Sequence, residues 1–325
     1  MNKGVTKRKS GSGTVYDSVF RTIEVDCPRL MIPLINETFS EDYPLDTQIA
    51  AMANEHFLNM PDDNQMKRET DSNLSVDKGD KNRKYHFECQ STQDSTILIR
   101  FYEYDSQEAL EDREMDADIL DVNFPHSAVL YLRVNSRTPK KLGVNLNTDN
   151  VPGYHDVRII RLTGYSLDEI FEKKLWMLLP FYIFLYEKRF AKCEKDPELM
   201  EEMLSEFRDI VCRLEELKNK GELDYWECGT LLSLSRRVVK NIAWKHKNIV
   251  KEVQNIMGGR VLNTEMKTAL RKGRSEGRME GRMEGRAETL VGLYQEGFLA
   301  EETLLSRAEK DGVLGEVLKR LKEEE

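Results

Sequence analysis

Apolar and polar side chains alternate one for one along Tyr85-His86-Phe87-Glu88-Cys89-Gln90. A period of two belongs to a strand that sends successive residues to opposite faces. Parity sets His86, Glu88 and Gln90 on one face and Phe87 and Cys89 on the other. Such a strand is expected to bury one face and to present a carboxylate and an amide on the other. The run Gln65–Val76 reads as its partner, with Asp77-Lys78-Gly79-Asp80-Lys81-Asn82 as the turn of a hairpin. Asp71 then falls in the first arm and Glu88 in the second. Ser127–Asn135 is a strongly apolar strand expected at the centre of a sheet, and Val157–Leu162 is a further strand after the turn at Pro152-Gly153.

Elsewhere the spacing is helical. Val19, Phe20, Ile23, Cys27, Leu30, Leu34 and Ile35 predict helix over Tyr16–Phe39, broken by Pro28 and Pro33. A short helix is expected over Asp46–Leu58, and a longer one over Ser95–Arg113 with Ile97, Leu98, Phe101, Tyr102 and Tyr104 on its apolar face. From Ser166 onward the pattern stays helical: Ser166–Leu178, Pro180–Lys192, Pro197–Lys218 and Leu231–Met257, stopping at Gly258-Gly259. The order predicts a mixed α/β fold, a small sheet with interspersed helices followed by an all-helical C-terminal extension. The expected segments are a basic, disordered tail over 1–13, a sheet-bearing domain over 14–192, a helical extension over 193–260 and a charged helical tail over 261–325.

Composition adds limits. The chain has 325 residues, 39% of them hydrophobic and 33% charged, as a globular protein with a charge-rich surface would. Its five cysteines form no CxxC pair, which argues for a reducing compartment and against structural zinc. No apolar core follows the basic N-terminus, and the longest apolar run, Leu175–Tyr186, is too short for a bilayer and contains Pro180. The expectation is a cytoplasmic protein with no membrane partner. A net charge of −9 looks unfavourable for nucleic acid, yet Arg236–Arg274 holds eleven Lys and Arg against Glu252 and Glu265. A local basic stripe of this kind can meet phosphates, or can be a solvated helix face. Trp244, amid Lys240, Lys245 and Lys247, is placed to stack on a base or to enter a helical core.

Residues 273–288 repeat Gly-Arg-x-Glu four times. On one helix every i,i+4 charge contact would join like charges, and each glycine would cost about 1 kcal/mol. Two such helices packed along their glycine rows would relieve both faults. The segment is therefore a candidate homo-oligomer element, with a flexible charged linker as the alternative. Deletion that leaves the solution mass at the same multiple of the chain mass sinks the first.

Two carboxylates near one sheet face suggest an oxygen-rich site for a hard divalent cation. Asp71 and Glu88 are the natural ligands, with the backbone carbonyl of Cys89 as a third. Such an ion can lower the pKa of a water and neutralise a phosphate, which is the need of phosphodiester hydrolysis. Gln90 can hold the attacking water but cannot take its proton.

The pattern Asp71…Glu88-x-Gln90 resembles the D…ExQ form of the PD-(D/E)XK nuclease core, with glutamine in the usual lysine place. The run Tyr16-Asp17-Ser18-Val19-Phe20-Arg21, Arg100-x-x-x-Tyr104, Tyr165-Ser166-Leu167-Asp168-Glu169-Ile170, Leu178-Leu179-Pro180 and the Glu-Gly-Arg repeat are similar to the Rpn group of recombination-promoting nucleases and transposase-like proteins. The resemblance spans most of residues 14–290. It implies a restriction-endonuclease-like core sheet flanked by helices, and a DNA endonuclease using magnesium or manganese with Asp71, Glu88 and Gln90 as its centre. It further implies a role in recombination or element mobility, though no transposase-type helix-turn-helix is found. An acid on the first helix often joins such sites, and Glu37 is the candidate. Arg100 and Tyr104, one turn apart, are candidate phosphate contacts, or equally ties between the helix and the sheet. The alternative is a DNA-binding or assembly protein that keeps the fold with a weak or inactive centre.

Overall fold

The computed structural model describes residues 14–52, 55–58, 66–69, 72–77, 82–111, 113–116, 119–147, 149, 151–258, 291, 294, 301–310 and 313–323. The tail 1–13, the repeat 273–288 and Asp71 lie outside the described residues. The chain divides into two compact units, residues 1–259 and 260–325.

The first unit opens with helix α1, Val15–Asp26, started by a reciprocal cap between Thr14 and Asp17. A 3₁₀ turn at Pro28–Met31 leads into α2, Ile32–Phe39, which accepts Pro33 in its first turn, where no helical N–H is needed. Where a helix was expected over Asp46–Leu58, the chain instead forms strands β1, Ile49–Ala51, and β2, Glu55–Leu58. The expected strand Gln65–Val76 is two strands in different sheets: β3, Met66–Glu69, pairs β2, while β4, Ser72–Asp77, pairs β1 and β5, Asn82–Gln90. Backbone pairing overrode a local pattern that could be read either way.

Helix α3, Ile97–Glu111, then the small hairpin β6, Glu114–Asp116, and β7, Ile119–Asp121, carry the chain to β8, His126–Tyr131. Strands β9, Leu142–Leu146, and β10, Gly153–Arg161, complete a six-stranded mixed sheet in the order β1-β4-β5-β8-β10-β9. β8 runs parallel to both β5 and β10 and is buried through Tyr131, as its apolar sequence predicts for a central strand.

Helix α4, Leu167–Glu172, is capped by Ser166. The helix expected over Ser166–Leu178 is α-helical only as α4, and in place of the one expected over Pro180–Lys192 the chain forms a buried 3₁₀ run, Trp176–Arg189, followed by the short α5, Phe190–Cys193. Inside this run Pro180 has no N–H to donate, and its ring disfavours α geometry at Leu179. Helices α6, Pro197–Asn219, α7, Tyr225–Ile242, and α8, Lys247–Met257, follow. The single helix expected over Leu231–Met257 is thus interrupted at residues 243–246. α7 is tied to the N-terminal helices: Arg29 Nε donates to Glu227 at 2.5 Å, Trp226 Nε1 to the Asp26 carbonyl at 3.1 Å, and Arg237 to Ser18 Oγ at 3.1 Å. In the second unit, α9, Glu301–Lys310, and α10, Leu314–Glu323, share a core of Val291, Leu304, Ala308, Val313 and Val317. Among the described residues no helix is long and apolar enough to cross a membrane.

Candidate active site on strand β5

The face parity of β5 is as its sequence predicts. Phe87 meets Phe20 and Phe39 from the N-terminal helices, with ring centroids at 6.4 and 5.8 Å, while His86 meets Phe101 of α3 at 4.7 Å. One expectation is corrected: the polar face is not open. A parallel connection from β5 to β8 needs a crossover, and α3 is the helix in it. It lies on the polar face, so His86, Glu88 and Gln90 are all buried.

Burial is tolerated because the two elements carry complementary charges in reverse order. Lys84 Nζ stands 2.6 Å from Glu108 Oε1, His86 Nδ1 lies 2.6 Å from Asp105 Oδ1, and Arg100 Nη2 donates to Glu88 Oε2. Two strand residues advance about 6.6 Å, and three or five helix residues about 4.5 or 7.5 Å. The pairs therefore keep step along antiparallel axes. Unpaired charges in this position would cost several kcal/mol each; paired and hydrogen-bonded they are sustainable.

Asp105 is the hub of this layer. Its Oδ2 also accepts from Ser127 Oγ of β8 and from His155 Nε2 of β10, both at 2.6 Å. One fully buried carboxylate thus joins α3 to three strands. Burial opposes its charge, but the adjacent His86 and the three donors outweigh that and hold its carboxyl below the usual aspartate value. Burial likewise opposes charge on His86, and here the charge and hydrogen bond of Asp105, with Glu88 beyond, push the imidazole up to about 10.

Glu88 sits between cations. Oε2 takes Arg100 and, at 3.3 Å, the side-chain amide of Gln90. Oε1 is buried and, among the described residues, accepts no hydrogen bond; His86 Nε2 stands 3.6 Å away, close enough for charge but not for a bond. A buried carboxylate oxygen without a donor is an acceptor that a hard cation would satisfy. The described residues supply no more of a metal site than this, since among them no three His, Cys, Asp or Glu converge as one.

The other sequence candidates are distributed as follows. Asp71 lies outside the described residues, but its covalent neighbour Ser72 is paired with Phe87. Cys89 is buried in β5 opposite Leu130. Arg100 leans on Glu88 and reaches Asp94 Oδ2 at 3.8 Å. Tyr104 is buried with its ring 6.1 Å from that of His86. Glu37 is held elsewhere, by Lys173 Nζ at 2.6 Å and Tyr165 Oη at 3.3 Å. Among the described residues no hydrogen bond or ion pair joins it to Glu88.

The acid on the N-terminal helices that does reach the hairpin is Glu24 of α1, fully buried, whose Oε1 accepts from the Asn73 backbone N–H at 3.1 Å. Its sequence signal was available: Glu24 falls four residues after Phe20 in the apolar stripe, where an acid is out of place. Asp105, Ser127 and His155 also escaped the sequence reading. The reverse order of Lys84, His86, Glu88 against Arg100, Asp105, Glu108 could have pointed to the first of these.

Comparison with protein-family models, with curated proteins and with solved structures finds no match.

Proposed function

We propose that this chain is a divalent-metal-dependent DNA endonuclease of the PD-(D/E)XK type, centred on Asp71, Glu88 and Gln90. The observation that carries the reading is the pairing of Ser72 with Phe87. It sets the start of β4 beside the end of β5 that bears Glu88, and Asp71 is one peptide bond from Ser72. The orphaned Oε1 of Glu88 and the arrival of Glu24 at Asn73 support the same centre from two sides. Glu24 replaces Glu37 as the first-helix acid in this reading, because Glu37 is committed to Lys173.

A magnesium or manganese ion held by Asp71 and Glu88 would supply an activated water and neutralise phosphate charge. Gln90 orients water by hydrogen bonding and does not accept its proton. Arg100, held at Glu88 and 28% exposed along its side chain, is the guanidinium this reading sets against the phosphate.

The alternative, a DNA-binding or assembly protein with a silent centre, draws on one observation: the Arg100–Glu88 contact is also what a purely structural ion pair looks like. Nicking of supercoiled plasmid in magnesium separates the two. The endonuclease reading expects cleavage by the wild-type chain and a loss of about 100-fold or more with Asp71→Ala or Glu88→Ala, the scale of removing a positioned catalytic group. Equal cleavage by all three places any activity elsewhere. No cleavage, with salt-sensitive DNA retention, favours the silent form.

A further inference from the structure

The turn between α7 and α8 presents a tryptophan to solvent. Trp244 is 67% exposed, although tryptophan carries one of the largest apolar surfaces a residue can bury. The helical residues around it are well supplied with core: Val238, Val239 and Ala243 on one side, and Ile249, Val253 and Met257 on the other, are buried. Trp244 is therefore not a core residue displaced by a poor fit.

Its surroundings are cationic. A groove of about 330 Å³ is lined by Lys240, Trp244, Lys247, Val250, Lys251 and Gln254. Lys245 Nζ stands 5.0 Å from the centre of the Trp244 ring. The sequence from Lys240 to Gln254 contains four lysines and one acid, Glu252, which lies 3.9 Å from Lys251 Nζ. The groove thus has an aromatic wall, an aliphatic floor at Val250 and a cationic rim.

We infer that the α7–α8 corner is a binding site for single-stranded DNA, which stacks a base on Trp244 and sets its phosphates among Lys240, Lys245, Lys247 and Lys251. A flat aromatic ring beside several ammonium groups matches the two features every single strand offers, an exposed base face and a regular row of negative charge. An acidic peptide would use the lysines and leave the ring idle. Duplex DNA would meet the lysines but offers no unstacked base. The site lies on a different element from the proposed nuclease centre and does not depend on it; only the choice of DNA over RNA follows that reading.

The test is fluorescence anisotropy of a labelled oligo-dT strand with the full-length protein in EDTA, so that no cleavage can occur. Trp244→Ala is expected to weaken binding about 5- to 150-fold, the range for loss of one stacked base. Lys247→Gln with Lys251→Gln is expected to weaken it and to reduce the slope of log K against log salt by about 0.7 for each phosphate left without its lysine. Binding of the wild type and Trp244→Ala with equal affinity overturns the inference. So does a fall in particle mass on Trp244→Ala without change in oligonucleotide affinity, which would assign the ring to an interface between copies of the chain. Because EDTA removes the metal, a failure of plasmid nicking leaves this result untouched, and Trp244-independent binding leaves the nicking result untouched.

Discussion

Arg100, near the start of α3, donates to Oε2 of Glu88 near the end of β5, twelve residues earlier in the chain. The carboxylate proposed as a metal ligand therefore already has a cation on one oxygen. Metal binding at Glu88 must displace that guanidinium or use the other oxygen, and this competition is measurable.

Arg100→Met should lower stability, since removing one partner of a buried pair costs about 3–5 kcal/mol. The 28% exposure of the Arg100 side chain places the loss at or below the lower end. In a double-mutant cycle with Glu88→Gln the second change should restore part of it. On the nuclease reading Arg100→Met also binds manganese more tightly than the wild type in titration calorimetry. Additive losses would mean that the pair contributes nothing to the fold.

Stability should depend on pH through Asp105 and His86. The Asp105 carboxyl is held low, so its contribution is present above the unfolded value, about 3.9, and is lost as pH falls through the folded one. The His86 value is raised, so its contribution is full below about 6.5 and is lost as pH climbs toward about 10. Thermal melts should therefore show the layer at its strongest between these limits and a decline on the alkaline side. His86→Asn should melt lower at pH 6 and show a shallower alkaline decline. A wild-type Tm that stays flat from pH 6.5 to 10 contradicts this.

Glu24→Ala leaves the buried Asn73 N–H without its acceptor, at a cost of about 1–3 kcal/mol readable by urea denaturation. Glu24→Gln keeps an oxygen in place and should recover most of the stability. If Glu24 also serves the proposed centre, Glu24→Gln will still lose nicking activity while folded; full activity in Glu24→Gln would confine the residue to a structural part.

Of the five cysteines, Cys212 is exposed and Cys27, Cys89, Cys193 and Cys228 are buried. Burial pushes the Cys27 and Cys228 thiols up to about 12. A thiol reagent at pH 8 should titrate one fast group in the native protein and five in denaturant, and Cys212→Ser should abolish the fast phase. Two or more fast thiols in the wild type would show that one of the buried sites opens.

The sequence by itself determined the parity of β5, the apolar centre at β8, and the starts of several helices. Each of these depends on residues adjacent along the chain: alternation for strands, and a cap such as Ser166 with Glu169 for helices. It also set out the charges of Lys84, His86 and Glu88 and, further on, those of Arg100, Asp105 and Glu108. Only the tertiary structure decided that these two rows face each other, because the crossover to a parallel strand had to lie on one face of the sheet and took the polar one. That choice converted a face expected to be open into a buried ladder, made Asp105 a junction of four elements, and left one carboxylate oxygen of Glu88 without a donor among the described residues. Likewise α7 and α8 were legible as helical, but the turn that breaks them, and with it the exposure of Trp244, followed from packing both helices against the same core.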